Sequence, residues 1–93
     1  MNDRLKEIIN AKINDIISKP DEIFTITKMV KDLIDDEEQV AFGIALGRVY
    51  NAFHYQTRRI LKRNATKEEF NEFVELLSEK TESIKLALHN YQC

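Results

Sequence analysis

The sequence predicts an all-α protein, a compact bundle of four helices whose third is long and central. Three observations lead there. Two glycines and one proline in 93 residues leave too little turn chemistry for a sheet of several strands. Apolar residues recur at three- and four-residue steps along most of the chain, the period of an amphipathic helix. At 43% apolar and 32% charged, the composition is that of a globular chain. Residues 1–93 fit one domain, because a single core holds on the order of 100 to 150 residues. A core this thin gains buried area by pairing, so a homodimer is expected.

Helix 1 covers residues 3–18, with Leu5, Ile8, Ile9, Ile13, Ile16 and Ile17 on one stripe. Its isoleucines lower helix propensity, so packing must hold it. Pro20 ends it by disfavouring helical geometry at Lys19 and lacking an amide donor. Phe24-Thr25-Ile26 reads as a short extended piece. Thr25 or Thr27 then caps a second helix, Lys28 to Ile34, with Met29, Val30, Leu33 and Ile34 inward. Asp35 with Glu38 forms the next capping-box match.

Helix 3 runs from Asp36 to Arg63. At about 100° per residue, Phe42, Leu46, Val49, Tyr50, Phe53, Thr57 and Ile60 share one quarter of its circumference. Its first half is apolar almost all round and is expected to be the most buried segment. Asn64-Ala65-Thr66 breaks the pattern, and Thr66 with Glu69 is another capping-box match. Helix 4 follows from Lys67 to Asn90, with a near-heptad seam of Phe70, Phe73, Val74, Leu77, Ile84, Leu88 and Tyr91.

Charge is unevenly placed. Residues 1–47 carry six Lys/Arg against ten Asp/Glu, and residues 48–93 carry eight against six. No acid occurs from Gln39 to Lys67, a stretch holding Arg48, Arg58, Arg59, Lys62, Arg63 and Lys67. Arg48, Tyr55, Arg59 and Lys62 project opposite the apolar stripe, with Arg58 and Arg63 flanking. Cations interleaved with an aromatic suit phosphate neutralisation and base stacking. The plainer explanation is a solvated helix whose acids at residues 35–38 and bases at residues 58–63 match its macrodipole.

A helix, the extended piece at residues 24–26, the helix Lys28 to Ile34, a tight polar turn and another helix resemble the order of helix-turn-helix and winged-helix domains. The resemblance covers residues 3–61. It implies a DNA-binding protein whose third helix offers its N-terminal residues to the major groove. Here Asp35, Asp36, Glu37 and Glu38 occupy that position and repel phosphates, the turn lacks glycine, and no strand pair follows as a wing. The basic C-terminal half of helix 3 is therefore the segment expected to meet nucleic acid.

Gly43 and Gly47 stand four residues apart inside helix 3, where glycine costs about 1 kcal/mol relative to alanine. That cost points to close backbone approach, either to helix 1 or 4 of the same chain or to helix 3 of a second copy across a two-fold axis. Glu68, Glu72, Glu75, Glu79 and Glu82 form an acidic ridge on helix 4, read as a solvated face and not a metal site.

Catalytic chemistry has no convergent set of residues, so no enzyme, no cofactor, no metal and no small-molecule substrate are expected. His54 and His89 lack partners at a ligand spacing, and His54 reads as a hydrogen-bonded packing residue. Neither glycine belongs to a phosphate loop, and Ser18, Ser78 and Ser83 lie in no motif. Cys93 stands alone, there is no apolar leader or spanning run, and a soluble, cytoplasmic chain is expected. The leading expectation is a small nucleic-acid-associated or regulatory protein using Arg48, Tyr55, Arg58, Arg59, Lys62 and Arg63. The alternative is a homo-oligomeric helical protein-interaction module.

Overall fold

Capping chemistry sets where the helices begin. In the computed structural model, which describes residues 1–92, the Asn2 side chain accepts the Leu5 amide and opens α1, Asp3–Ser18. Cys93 lies outside the described residues. Pro20 immediately precedes α2, Asp21–Met29, where its fixed φ suits a helix start and Asp21 and Glu22 favour the positive end. A 3-10 turn at Lys31–Leu33 follows. Asp36 accepts the Gln39 amide at 3.1 Å and opens α3, Glu37–Leu61. Thr66 and Glu69 form the predicted reciprocal capping box of α4, Lys67–Ser78. The last helix of the described residues is α5, Thr81–Gln92.

The protein is all-helical, but its helices number five among the described residues, not four. Two expectations change. First, the piece read as extended at Phe24-Thr25-Ile26 lies inside α2. Its inward residues are Ile23, Phe24 and Thr27, while Met29 and Leu33 are 75% and 85% exposed. Pro20 follows the end of α1 and also starts α2. The cap of α3 likewise moves from Asp35 to Asp36.

Second, the long helix 4 is broken at Glu79-Lys80. There the Ser78 hydroxyl donates to the Glu75 carbonyl and the Thr81 hydroxyl donates to the Ser78 carbonyl. Hydroxyls that claim backbone acceptors compete with the helical ladder. The Lys80 amide closes onto Leu77 at 2.9 Å instead.

α3 is the spine. Its 25 residues span about 37 Å, close to the long dimension of a 41 × 22 × 18 Å molecule. Its buried row is Ala41, Ala45, Val49, Phe53 and Thr57, one residue per turn. α1, α2 and α5 pack against α3, and α5 also packs on α1. α4 meets α3 through parallel stacking of Phe73 on Phe53 at 4.3 Å. Leu5, Ile9, Ile13 and Ile16 complete the centre from α1, with Ile84 and Leu88 from α5. Each such aliphatic side chain contributes roughly 1.5–3 kcal/mol by leaving water.

The first half of α3 is not buried all round. Helices cover one side of it, and Gly43 is exposed on the other. The buried Thr27 and Thr57 hydroxyls donate to the carbonyls of Ile23 and Phe53, so neither is left without a partner. No helix among the described residues is long and apolar enough to cross a membrane.

Candidate nucleic-acid interface

Tyr55, Arg58 and Arg59 lie on the C-terminal half of α3, Arg48 just before its midpoint, and Lys62 and Arg63 beyond its end. Tyr55, Arg58 and Arg59 fall within one turn on the solvent side, all exposed. Arg58 and Arg59 occupy the last turn, where positive charge meets the negative end of the helix macrodipole. α3 stops at Leu61, so Lys62 and Arg63 follow the helix and do not continue it. Lys62 is the cap, in the left-handed region at φ 60° and ψ 29°, with its amide donating to the Arg58 carbonyl at 3.0 Å. Lys62 is exposed just past the helix end.

The remaining two cations part from this group. Arg63 turns to α4 and donates to both oxygens of Glu69, at 2.7 and 3.2 Å, and to the Asn64 carbonyl at 3.0 Å. The hydrogen bonds from Arg63 are the main reason the Glu69 carboxyl is held down at about 2, helped by the Thr66 amide. The same Glu69 contact raises Arg63. Arg63 is thus part of the turn between α3 and α4.

Arg48 stands at the far margin. It lines a cleft of about 620 Å³ between α1 and α3, with Lys12, Asp15, Asn51, Tyr55 and Gln56 among its neighbours. It also borders a second cleft carrying Asp15, Asp21 and Glu22. Those carboxylates offset its field without a direct ion pair. Among the described residues the ion pairs are Met1 amino–Glu72, Arg63–Glu69 and His89–Glu38. None of them engages Arg48, Arg58, Arg59 or Lys62.

Tyr55, 58% exposed, stands between two hollows. One is the α1–α3 cleft. The other, of about 470 Å³, is lined by Tyr50, Asn51, His54, Tyr55 and Arg58. An exposed phenol ring bordered by hollows on two sides offers faces for planar rings. Asn51 and Gln56 bring amide groups to the same strip and were missed in the sequence, although Asn51 lies one turn before Tyr55. Lys12 comes from α1, and nothing local marks it.

His54 packs in an aromatic cluster, edge-on to Tyr50 at 4.7 Å and stacked at 6.0 Å on Phe70. Its packing is aromatic, with no hydrogen bond among the described residues, because its ring is seated between α3 and α4. His89 lies 3.0 Å from Glu38 and links α5 to the first turn of α3.

Gly43 and Gly47 do not bring α3 close to α1 or α4. A methyl group placed on either meets no atom within 4 Å. The open space at both positions gives no support to close packing within the chain. On α4, Glu72 meets the Met1 amino group, and no group of three His, Cys, Asp or Glu among the described residues is arranged to hold a metal ion.

No protein-family model, curated protein or solved structure matches this chain.

Proposed function

We propose that this is a small, non-enzymatic, cytoplasmic protein that binds nucleic acid through the end of α3. Arg58, Arg59 and Lys62 meet phosphates, Tyr55 offers a stacking surface, and Arg48 lies at the margin. The carrying observation is that these cations stand exposed or half-exposed beside Tyr55 with no ion pair among the described residues. Lys62 adds support. A side chain in the left-handed region costs on the order of 1–2 kcal/mol, and glycine would relieve it. The chain tolerates that strain and keeps a charge at the end of the basic face. The reading makes no use of the acidic N-terminus of α3, where a helix-turn-helix protein would enter the groove.

Anisotropy of labelled single-stranded and duplex oligonucleotides, titrated at stepped salt, tests it. Binding should weaken linearly on logarithmic axes as salt rises. Arg59→Ala or Lys62→Ala should lower the slope by about 0.7–0.9 per lost phosphate contact. Tyr55→Ala should weaken the single strand more than the duplex. Undetectable binding at low salt, or indifference to a double Arg58→Ala, Arg59→Ala variant, removes the reading.

A second reading, self-association through α3, is favoured by the open space over Gly43 and Gly47. Two glycines that weaken a helix without serving any contact inside the chain are accounted for by a surface that approaches from outside.

A further inference from the structure

The outward face of α3 carries opposite charges at equal distances from Gly47. At about 100° per residue, Asp36, Val40, Gly43, Gly47, Asn51, His54 and Arg58 fall on one strip roughly a quarter of the circumference wide. The strip lies opposite the buried row and is centred on Gly47, with an acid at its N-terminal end and a base at its C-terminal end. Gly43 and Asn51 lie four residues either side of Gly47, Val40 and His54 seven, Asp36 and Arg58 eleven. Ile44 and Tyr50 flank it three residues to each side. Asp36, Gly43, Asn51 and Arg58 are exposed, and Val40, Gly47 and His54 are half-buried.

We infer that this face receives a second copy of the same chain, with the two α3 helices antiparallel and crossing at Gly47 on a two-fold axis. The inference rests on the self-association reading and gives it a geometry. Charge complementarity identifies the occupant. An antiparallel pair brings Asp36 of each copy to Arg58 of the other, so one contact type occurs twice and joins opposite charges. A parallel pair would set Asp36 against Asp36 and Arg58 against Arg58. Between the charged ends, Val40 meets the uncovered edge of His54, whose ring otherwise packs on Phe70 of α4, and Ile44 meets Tyr50, which is 48% exposed in the monomer. At the crossing Gly47 meets Gly47, and the absence of side chains lets the backbones approach.

The acidic start and basic end of α3 agree with this arrangement more broadly. Glu37 and Glu38 lie in its first turn and Arg58 and Arg59 in its last, and the macrodipoles of an antiparallel pair oppose each other favourably. Asp36 caps its own helix through one oxygen, at 3.1 Å from the Gln39 amide, which leaves the other for the arginine. Tyr55, Arg59 and Lys62 lie off the strip, whereas Arg58 and the hollow lined by Tyr50, Asn51 and His54 fall within the pairing face. A paired chain thus keeps Arg59, Lys62 and the α1–α3 side of Tyr55 for nucleic acid.

Sedimentation equilibrium of the full chain across micromolar concentrations, without nucleic acid, tests this. The unaltered chain should be a dimer. Gly47→Leu should be a folded monomer, since its side chain meets open space within one chain, and circular dichroism confirms the fold. Arg58→Asp should raise the dimer Kd about a hundredfold or more, because the reversed contact occurs twice. The double variant Asp36→Arg, Arg58→Asp should recover most of that loss. A chain that is monomeric at every concentration overturns both the inference and the reading beneath it. A Gly47→Leu dimer, or a double variant no better than Arg58→Asp, overturns the antiparallel crossing and leaves self-association by another surface.

Discussion

Phe53 sits where α3 meets α4, stacked on Phe73 at 4.3 Å and tilted against Phe70 at 6.3 Å. It is fully buried, and no neighbouring helix can collapse into its space without moving the α4 contact. Phe53→Ala should cost about 3–5 kcal/mol, read as a lower urea midpoint. Glu69 is held by hydrogen bonds from Arg63 and the Thr66 amide. Its folded carboxyl is held at about 2, below the ordinary 4.5, so the unfolded chain takes up a proton first as pH falls. The stabilisation is complete above about 4.5 and is lost as pH drops towards 2. Urea melts across that interval should show Glu69→Gln with a shallower acid loss than the unaltered chain. Single residues were legible in the sequence where a capping rule applied, as at Thr66 and Glu69. Leu76 and Thr27 were not, because burial of one side chain depends on how its helix is rotated against the others.

Helix boundaries were legible where a cap and an apolar stripe agreed. α1 has its predicted span, and α4 starts at its predicted residue. α2 was missed because Pro20 both ends one helix and begins another, and the proline alone does not say which. The break between α4 and α5 was missed because the seam keeps its phase across it. Phe73 and Ile84 would face one way on a continuous helix, and the competition comes from the Ser78 and Thr81 hydroxyls. The end of α3 yields a test at this scale. Lys62→Gly removes left-handed strain at φ 60° and should stabilise the fold by about 1 kcal/mol. It also removes a phosphate contact, so thermal stability and oligonucleotide affinity should move in opposite directions.

Across the whole molecule, helices cover one side of α3, α4 reaches the edge of the other at His54, and the face over Gly43 and Gly47 is open. That asymmetry places Gly43 and Gly47 over open space and sets Tyr55, Arg58 and Arg59 in solvent. Gly47→Leu should therefore raise the thermal midpoint of the dilute monomer, by up to about 1 kcal/mol of helix propensity, while abolishing association at high concentration. A glycine retained for packing within one chain would give the reverse in the monomer, a lower midpoint. Calorimetry at two concentrations separates these outcomes.

The sequence by itself determined the all-helical class, most helix starts and the acid-free segment that carries the cations. These depend on interactions within about one helical turn, which periodicity and capping express directly. Tertiary structure alone decided that Arg63 turns to Glu69, that Arg48 shares its surroundings with acids of α1 and α2, and which face of α3 stays open. Those outcomes follow from how five helices rotate against one another to bury their stripes, and that rotation is set by the joint packing of residues far apart in the chain.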